Sequence, residues 1–154
     1  MPYRCTSMLA LVALTATARA QAASPTRVAV WRDPNCGCCI GWVTHLRAER
    51  FAVDDQVVRS VAPIRRRLCT PADLLSCHAG EVEGFVLEGH VPAAAIRRLL
   101  AERPAGVRGL AVPEMPVGSP GMAVPRTTPN SYDVMAFGAG PHRPFMRFNG
   151  ADPA

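Results

Sequence analysis

Three cysteines fall within four residues, Cys36-Gly37-Cys38-Cys39, just after an apolar run, Val28-Ala29-Val30-Trp31, and the turn-forming stretch Arg32-Asp33-Pro34-Asn35. Adjacent thiols at this density are poor material for an ordinary structural disulfide, because Cys38 and Cys39 can bridge each other only with strained geometry. They suit a soft metal ion or thiol redox chemistry. Cys36 and Cys39 also make a Cys-x-x-Cys pair at a predicted helix N-terminus, where the helix dipole and free N–H groups favour thiolate over thiol. Cys38 is one thiol more than a dithiol oxidoreductase uses.

The N-terminus bears on compartment. Arg4 precedes an apolar core, Met8 to Leu14, and Ala18-Arg19-Ala20 has the small-x-small pattern of a cleavage site. Residues 1–20 read as a secretory signal peptide, too short in its apolar core to span a bilayer. Ala20-Gln21-Ala22 offers an overlapping site. The expected mature chain, 21–154, is one domain of an exported protein with no membrane span after signal removal. Cys5 leaves with the signal. Cys36, Cys38, Cys39, Cys69 and Cys77 remain, an odd number that cannot all pair within one chain. In an oxidising compartment a surviving thiol points to a metal or to redox exchange.

Loss of Arg4 and Arg19 lowers the formal charge from +5 to +3, and every basic residue other than histidine is Arg. Arg65-Arg66-Arg67 reads as a solvated helix face. No aromatic residues interleave with it, which argues against nucleic acid as a partner.

The apolar pattern predicts a strand over 27–31, a helix from about Cys38 to Arg50, an extended region from Phe51 to Val58 and a short helix over 62–68. Thr70-Pro71-Ala72-Asp73 has the form of a capping box. Ala79 to Leu87 reads as a hairpin with Glu83-Gly84 as its loop. Pro92 opens a helix that ends before Pro104. Val112 to Pro129 holds five prolines with Gly118 and Gly121 and is expected to be a long irregular loop, of the kind that tends to be functional. Tyr132 to Phe137 reads as a late strand, with Phe145 to Phe148 as a candidate for another. Strand, cysteine turn, helix, strand, helix, hairpin, helix is the order of a thioredoxin-like α/β single domain, here with a long Pro/Gly/Met-containing loop.

With Glu83 and Gly84 as loop, cross-strand partners have numbers summing to 167. Cys77 then faces His90, close enough to share a metal ion. His78 is expected on the opposite face unless the strand starts after it. Met115 and Met122 lie in the rigid segment Met115-Pro116-Val117-Gly118-Ser119-Pro120-Gly121-Met122. They are read either as core filling or as thioether ligands, which suit Cu(I) and contribute little to Zn²⁺. Cys69 could pair with Cys77, stay a buried thiol or add a ligand. His142, in a Gly/Pro-rich tail, is expected to be exposed.

These motifs resemble those of the exported CopG proteins of bacterial copper resistance. The matching pieces are Pro34-Asn35-Cys36-Gly37-Cys38-Cys39 with Trp42, Ser76-Cys77-His78, Glu88-Gly89-His90-Val91-Pro92, and Gly109-Leu110-Ala111-Val112-Pro113 leading into the Met115–Met122 segment. They span about 28–137. The resemblance implies a thioredoxin-like fold, a periplasmic location, a copper cluster on the Cys-x-Cys-Cys turn and a handling or redox role in copper tolerance. Three departures stand out. Ala79 replaces a usual Thr, Glu114 a usual Gly and Cys69 a common Gly.

The resulting expectation is a periplasmic copper-binding protein whose partners are copper ions and other periplasmic copper-handling proteins. Cys36, Cys38, Cys39 and Cys77 supply thiolates, His90 an imidazole, and Met115 and Met122 close the site, with His78 as the alternative histidine. This many sulfurs would serve several Cu(I) ions through bridging thiolates. Two other readings stay open: a thiol–disulfide oxidoreductase using Cys36 and Cys39, and a disulfide-stabilised binding module without metal.

Overall fold

Val28 and Val30 are buried on one side of β1 (Arg27–Arg32), and Trp31 on the other. A strand with two apolar faces has to be interior to a sheet covered on both sides. In the computed structural model, which describes residues 24–154, β1 lies between β2 (Ala52–Val57) and β3 (Ala79–Val82). The remaining strands are β4 (Phe85–Glu88), β5 (Val107–Ala111), β6 (Ser131–Gly138), β7 (Gly140–Asn149) and β8 (Asp152–Pro153). They form one eight-stranded sheet in the order β2-β1-β3-β4-β5-β6-β7-β8. Only β1–β2 and β4–β5 pair in parallel. Their crossovers carry α1 (Gly37–Ala48) and α3 (Ala93–Glu102), as parallel neighbours require. The signal-peptide reading of 1–20, Cys5 included, lies outside the described residues.

The period of two along each strand sorts the core into two layers. One joins Val28, Val30, Leu87 and Leu110 to α1 and α3 through Trp42, Val43, Leu46, Ile96 and Leu99. The other joins Trp31, Ala79, Val86, Ala111 and Phe137 to α2 (Ala62–Leu68) and a 3-10 turn (Ala72–Leu74). On α1 the buried residues Cys39, Trp42, Val43 and Leu46 recur at i, i+3, i+4 and i+7, one apolar stripe. Trp42 is wholly buried and donates its indole N–H to the Val91 carbonyl at 2.8 Å. Truncating such a residue costs on the order of 3–5 kcal/mol, so it anchors the helix that starts with the cysteines.

The hairpin has the expected register: Ala79 pairs with Glu88, Gly80 with Leu87, Glu81 with Val86 and Val82 with Phe85. Glu83 and Gly84 turn with φ of 45° and 83°, the left-handed pair that a two-residue hairpin loop needs. The irregular segment from Val112 to Asn130 separates β5 from β6. Among the described residues no helix is long and apolar enough to cross a membrane.

Three local expectations are corrected. Thr70 does not cap a helix. Pro71, extended at ψ 137°, takes the N-cap position of the 3-10 turn, and the buried Thr70 hydroxyl has no partner. The Arg65–Arg67 run is not one solvated face. Arg65 pairs with buried Glu88 and Arg67 lies over the Trp31 ring, 5.0 Å from its centroid. His142 is not in a tail but in β7, against Phe137 and 3.3 Å from an Asp73 carboxylate oxygen.

Cys69 and Glu114, the two positions where the resemblance leads one to expect Gly, both have left-handed backbone, with φ of 50° and 63°. Cys69 is the C-cap of α2. A side chain in this region carries a strain that Gly avoids. Cys69→Gly and Glu114→Gly are each expected to raise unfolding free energy by about 1 kcal/mol. The check is a higher urea midpoint at unchanged slope; an unchanged or lower midpoint contradicts it.

Candidate metal centre

Four chain segments leave the same end of the sheet. β1 ends there and leads into Cys36; β3 begins there, preceded by Cys77; β4 and β5 end there, leading to His90 and to the Met115–Met122 loop. The pairings Trp31 with Ala79 and Glu88 with both Ala79 and Ala111 fix this common edge.

Cys36 is the N-cap of α1, and Cys38 and Cys39 lie in its first turn. Cys36 and Cys39 are joined by a disulfide, with Cα atoms 5.3 Å apart. Cys38 is a free, half-buried thiol, its Sγ 3.4 Å from that of Cys36 and 3.9 Å from that of Cys77. The sulfurs of Cys36, Cys38, Cys39 and Cys77 all lie within 4.8 Å of one another.

Cys77 sits where the hairpin register puts it, opposite His90, with Sγ 3.0 Å from Nε2. The other ring nitrogen, Nδ1, is 2.8 Å from the Pro120 carbonyl, which can only accept. His90 therefore carries its proton on Nδ1 and turns the Nε2 lone pair toward Cys77. The expectation for His78 turns on where the strand starts. β3 begins only at Ala79, so alternation does not extend to His78, and its Nδ1 lies 3.3 Å from Cys77 Sγ. Its ring lies against Trp42 at a tilt of 37°, with centroids 4.3 Å apart, and meets His90 edge-on at 4.9 Å. Both histidines are fully buried, and His78 Nε2 has no hydrogen-bond partner. Cys77, His78 and His90 thus form a second donor group that shares Cys77 with the four sulfurs.

Burial lowers the pKa of both imidazoles, that of His78 furthest, with His90 next to it adding to the effect. Neutral rings keep their lone pairs. The Cys77 thiol is pushed up to about 12, by burial first and then by the neighbouring Cys38. A bound cation would favour loss of that proton, because metal binding and deprotonation of the thiol are linked. The donors suit a soft metal: sulfurs and neutral imidazoles in a largely buried cluster, with one buried ring nitrogen unpaired.

The Pro/Gly loop closes over this cluster. Besides its bond to His90, it lays Gly121, at φ 90°, against α1. A Cβ there would lie 2.5 Å from the Cys38 carbonyl, which only Gly avoids. Met122 follows directly and is half-buried. Met115 stands at the rim, 50% exposed, in the wall of an open depression of about 500 Å³. Its neighbour Glu114 accepts a hydrogen bond at its carbonyl from Ser76 Oγ. Cys69 is an exposed free thiol and stands outside both donor groups.

Two residues that the sequence reading left without a role at the site hold Cys77 in place. Glu88, with no exposed surface, accepts from Arg65 through both carboxylate oxygens, at 2.6 and 3.1 Å, and from the Ser76 N–H at 2.8 Å. Arg65 also donates to the Ser76 carbonyl at 2.6 Å. The residue before Cys77 is thus gripped at both backbone groups. Only the position of Glu88, beside Gly89-His90, hinted at a role.

The model for a family described as "Protein of unknown function, DUF411" matches residues 74–122, the stretch with Cys77, both histidines and the loop. Two solved structures of a copper resistance protein CopG, in its forms 1 and 2, are 40% identical to this chain with TM-scores of 0.74. The alignment covers 82% of this chain and 99% of the solved one for form 1, and 80% and 98% for form 2. The chain belongs to the CopG family. None of the curated proteins matches it. Like its CopG relatives it is a mixed α/β protein, with one eight-stranded sheet and three α-helices among the described residues.

Glu88→Ala is expected to lower unfolding free energy by about 3 kcal/mol, because it leaves Arg65 and the Ser76 N–H without their partner. Cys77 should then react faster with an alkylating reagent. A loss below 1 kcal/mol with unchanged reactivity refutes the gripping role.

Proposed function

We propose that this protein is an exported, periplasmic copper-binding protein of thioredoxin-like fold that handles Cu(I) as cargo in copper resistance. The carrying observation is the convergence of four sulfurs in one group and of Cys77 with two buried, neutral imidazoles in a second, the two groups sharing Cys77. The solved relatives at 40% identity are named for copper resistance. For the fold, the support is the order β2-β1-β3-β4, with β1–β2 parallel, β3 and β4 antiparallel to their inner neighbours, and cysteines at the start of the first helix. Export rests on the signal-like segment 1–20, leaving 21–154 as the working domain.

In this reading Cys36, Cys38, Cys39 and Cys77 are thiolate ligands with sulfurs bridging more than one Cu(I). His90 and His78 add imidazoles, and Met115 and Met122 guard the open side. Ligation needs the Cys36–Cys39 bridge reduced. Copper ions, and the periplasmic proteins that donate or receive them, are the partners.

The Cys36–Cys39 disulfide favours a second reading, a thiol–disulfide oxidoreductase using that pair. Cys38 discriminates between the two. As a ligand, Cys38→Ser costs bound copper as much as Cys36→Ser or Cys39→Ser, measured on protein purified and loaded without oxygen. As a bystander to a dithiol enzyme, it leaves copper content unchanged while disulfide reductase activity stays high.

Metal preference is the second test. The reduced protein is expected to retain Cu(I) against Zn²⁺ in competition, with more than one copper per chain, because soft sulfur dominates the donors. Equal or tighter Zn²⁺ binding, with one copper or fewer, overturns the cluster.

A further inference from the structure

The open depression of about 500 Å³ runs from Met115, at the rim of the metal centre, to Met135 on β6. Side chains alternate along β6. Tyr132, Val134 and Ala136 belong to the first core layer, so Asp133 and Met135 fall on the other face. Met135 pairs with Ala111, the last residue of β5, and is half-buried against the second layer. The chain that leaves β5 at Ala111 brings Glu114 and Met115 into the wall of the same depression. Two thioethers from separate segments thus line one space open to solvent.

The charges around this space have one sign. Glu114 and Asp133 are the charged residues in its lining. Asp133 is engaged by Arg147 at 3.1 Å, whereas Glu114 is exposed and, among the described residues, in no ion pair. The chain as a whole carries a formal charge of +5 and repels a cation. Glu114 sets an uncompensated negative charge at one lip, where a cation can approach. It does so at φ 63°, a conformation that costs a side chain strain and Gly none. Strain of this kind concentrates at functional sites. The same lip touches the cluster: Ser76 Oγ donates to the Glu114 carbonyl and lies 4.0 Å from Cys77 Sγ.

We propose that Met115 and Met135, with the charge of Glu114, form an outer Cu(I) site on which the ion lands before it passes to Cys77. This rests on the copper reading above and deepens it by naming the way in. Thioethers are soft and neutral, so they take Cu(I) without losing a proton and hold it less tightly than thiolates do. Glu114 attracts the ion rather than ligating it, because a carboxylate is a hard donor. Transfer inward is ligand exchange. Copper–thioether bonds break, a copper–sulfur bond to Cys77 forms, the Cys77 thiol proton goes to solvent, and copper stays Cu(I) throughout. The step from neutral to anionic sulfur sets its direction.

The test uses the mature protein with all thiols reduced, without oxygen, and Cu(I) supplied as its cationic acetonitrile complex. Loading is timed by the near-ultraviolet thiolate-to-copper absorption, and final copper is measured after desalting. Glu114→Gln and Met135→Leu are each expected to slow loading by about threefold or more at limiting copper, with final copper unchanged. Glu114→Gly, expected above to be the more stable protein, should load as slowly as Glu114→Gln, which separates loading from stability. Added salt should slow the unaltered protein and leave Glu114→Gln nearly unaffected, because screening removes the attraction of an exposed charge. In copper-loaded protein with labelled methionine methyl groups, further Cu(I) should shift the Met115 and Met135 signals together and wash out on desalting. Met146, packed against the first core layer, should stay in place. Loading of both Glu114→Gln and Met135→Leu at the unaltered rate overturns the proposal, as does a Met135 signal that never moves; the copper reading stands in either case if copper is retained. If the unaltered protein retains no Cu(I) through desalting, the copper reading falls and this proposal with it.

Discussion

A carboxylate with no exposed surface holds the candidate metal centre in register. Glu88 would not be buried for stability alone. Burial raises its pKa despite two hydrogen bonds from Arg65 and one from the Ser76 N–H, so desolvation outweighs what these partners return. Buried ion pairs are often no more stable than an apolar pair of the same volume. What the pair does is positional. Arg65 from α2 and Glu88 from β4 grip both backbone groups of Ser76, and the Ser76 hydroxyl donates in turn to the Glu114 carbonyl. Cys77 follows Ser76 directly, and Met115 follows Glu114. One buried ion pair therefore sets a thiol and the entry of the Met loop together.

The rest of the site hangs on Cys77 through histidine orientation. An imidazole can present a lone pair at either nitrogen, and a hydrogen bond at the other decides which. The Pro120 carbonyl makes that decision for His90. This gives the Pro/Gly loop a definite task. Its prolines fix the backbone that presents the carbonyl, and Gly121 lets that backbone approach the Cys38 carbonyl where a Cβ would clash. A looser loop of the same length would leave the imidazole free to turn.

How much of this was legible follows from which rules act locally. The hairpin register was readable because two loop residues fix every pairing outward from them. The Cys77–His90 contact lies two residues past the last ladder pair, Ala79 with Glu88, and still obeys the same sum. The cysteine turn, α1 and the irregular loop were readable from spacing and from proline and glycine. His78 was not, because alternation holds only inside a strand and β3 starts one residue after it. Arg65 and Glu88 lie 23 positions apart, and neither pattern nor charge marks them as partners. Arg65 looked like one member of a solvated arginine run until α2 turned it inward. Thr70 failed as a cap because Pro71 is extended and takes that position itself.

The topology explains why thiols so far apart in sequence meet. β1, β4 and β5 end at one edge of the sheet, and β3 begins there because it runs antiparallel to its neighbours. Ligand sites in α/β sheets favour the edge where parallel strands end and their connections diverge. Here that edge gathers four segments: the start of α1, the approach to β3, the turn after β4 and the loop after β5. None contains a complete donor set, and Cys36 and Cys77 come together only when β1 and β3 pair. A cation that needs donors from several of these segments binds the folded chain in preference to the unfolded one. Its binding free energy then adds to folding stability as mass action requires. The buried, partnerless His78 nitrogen and the strained backbone at Cys69 and Glu114 cost stability in the metal-free protein. Occupation of the cluster would offset that cost.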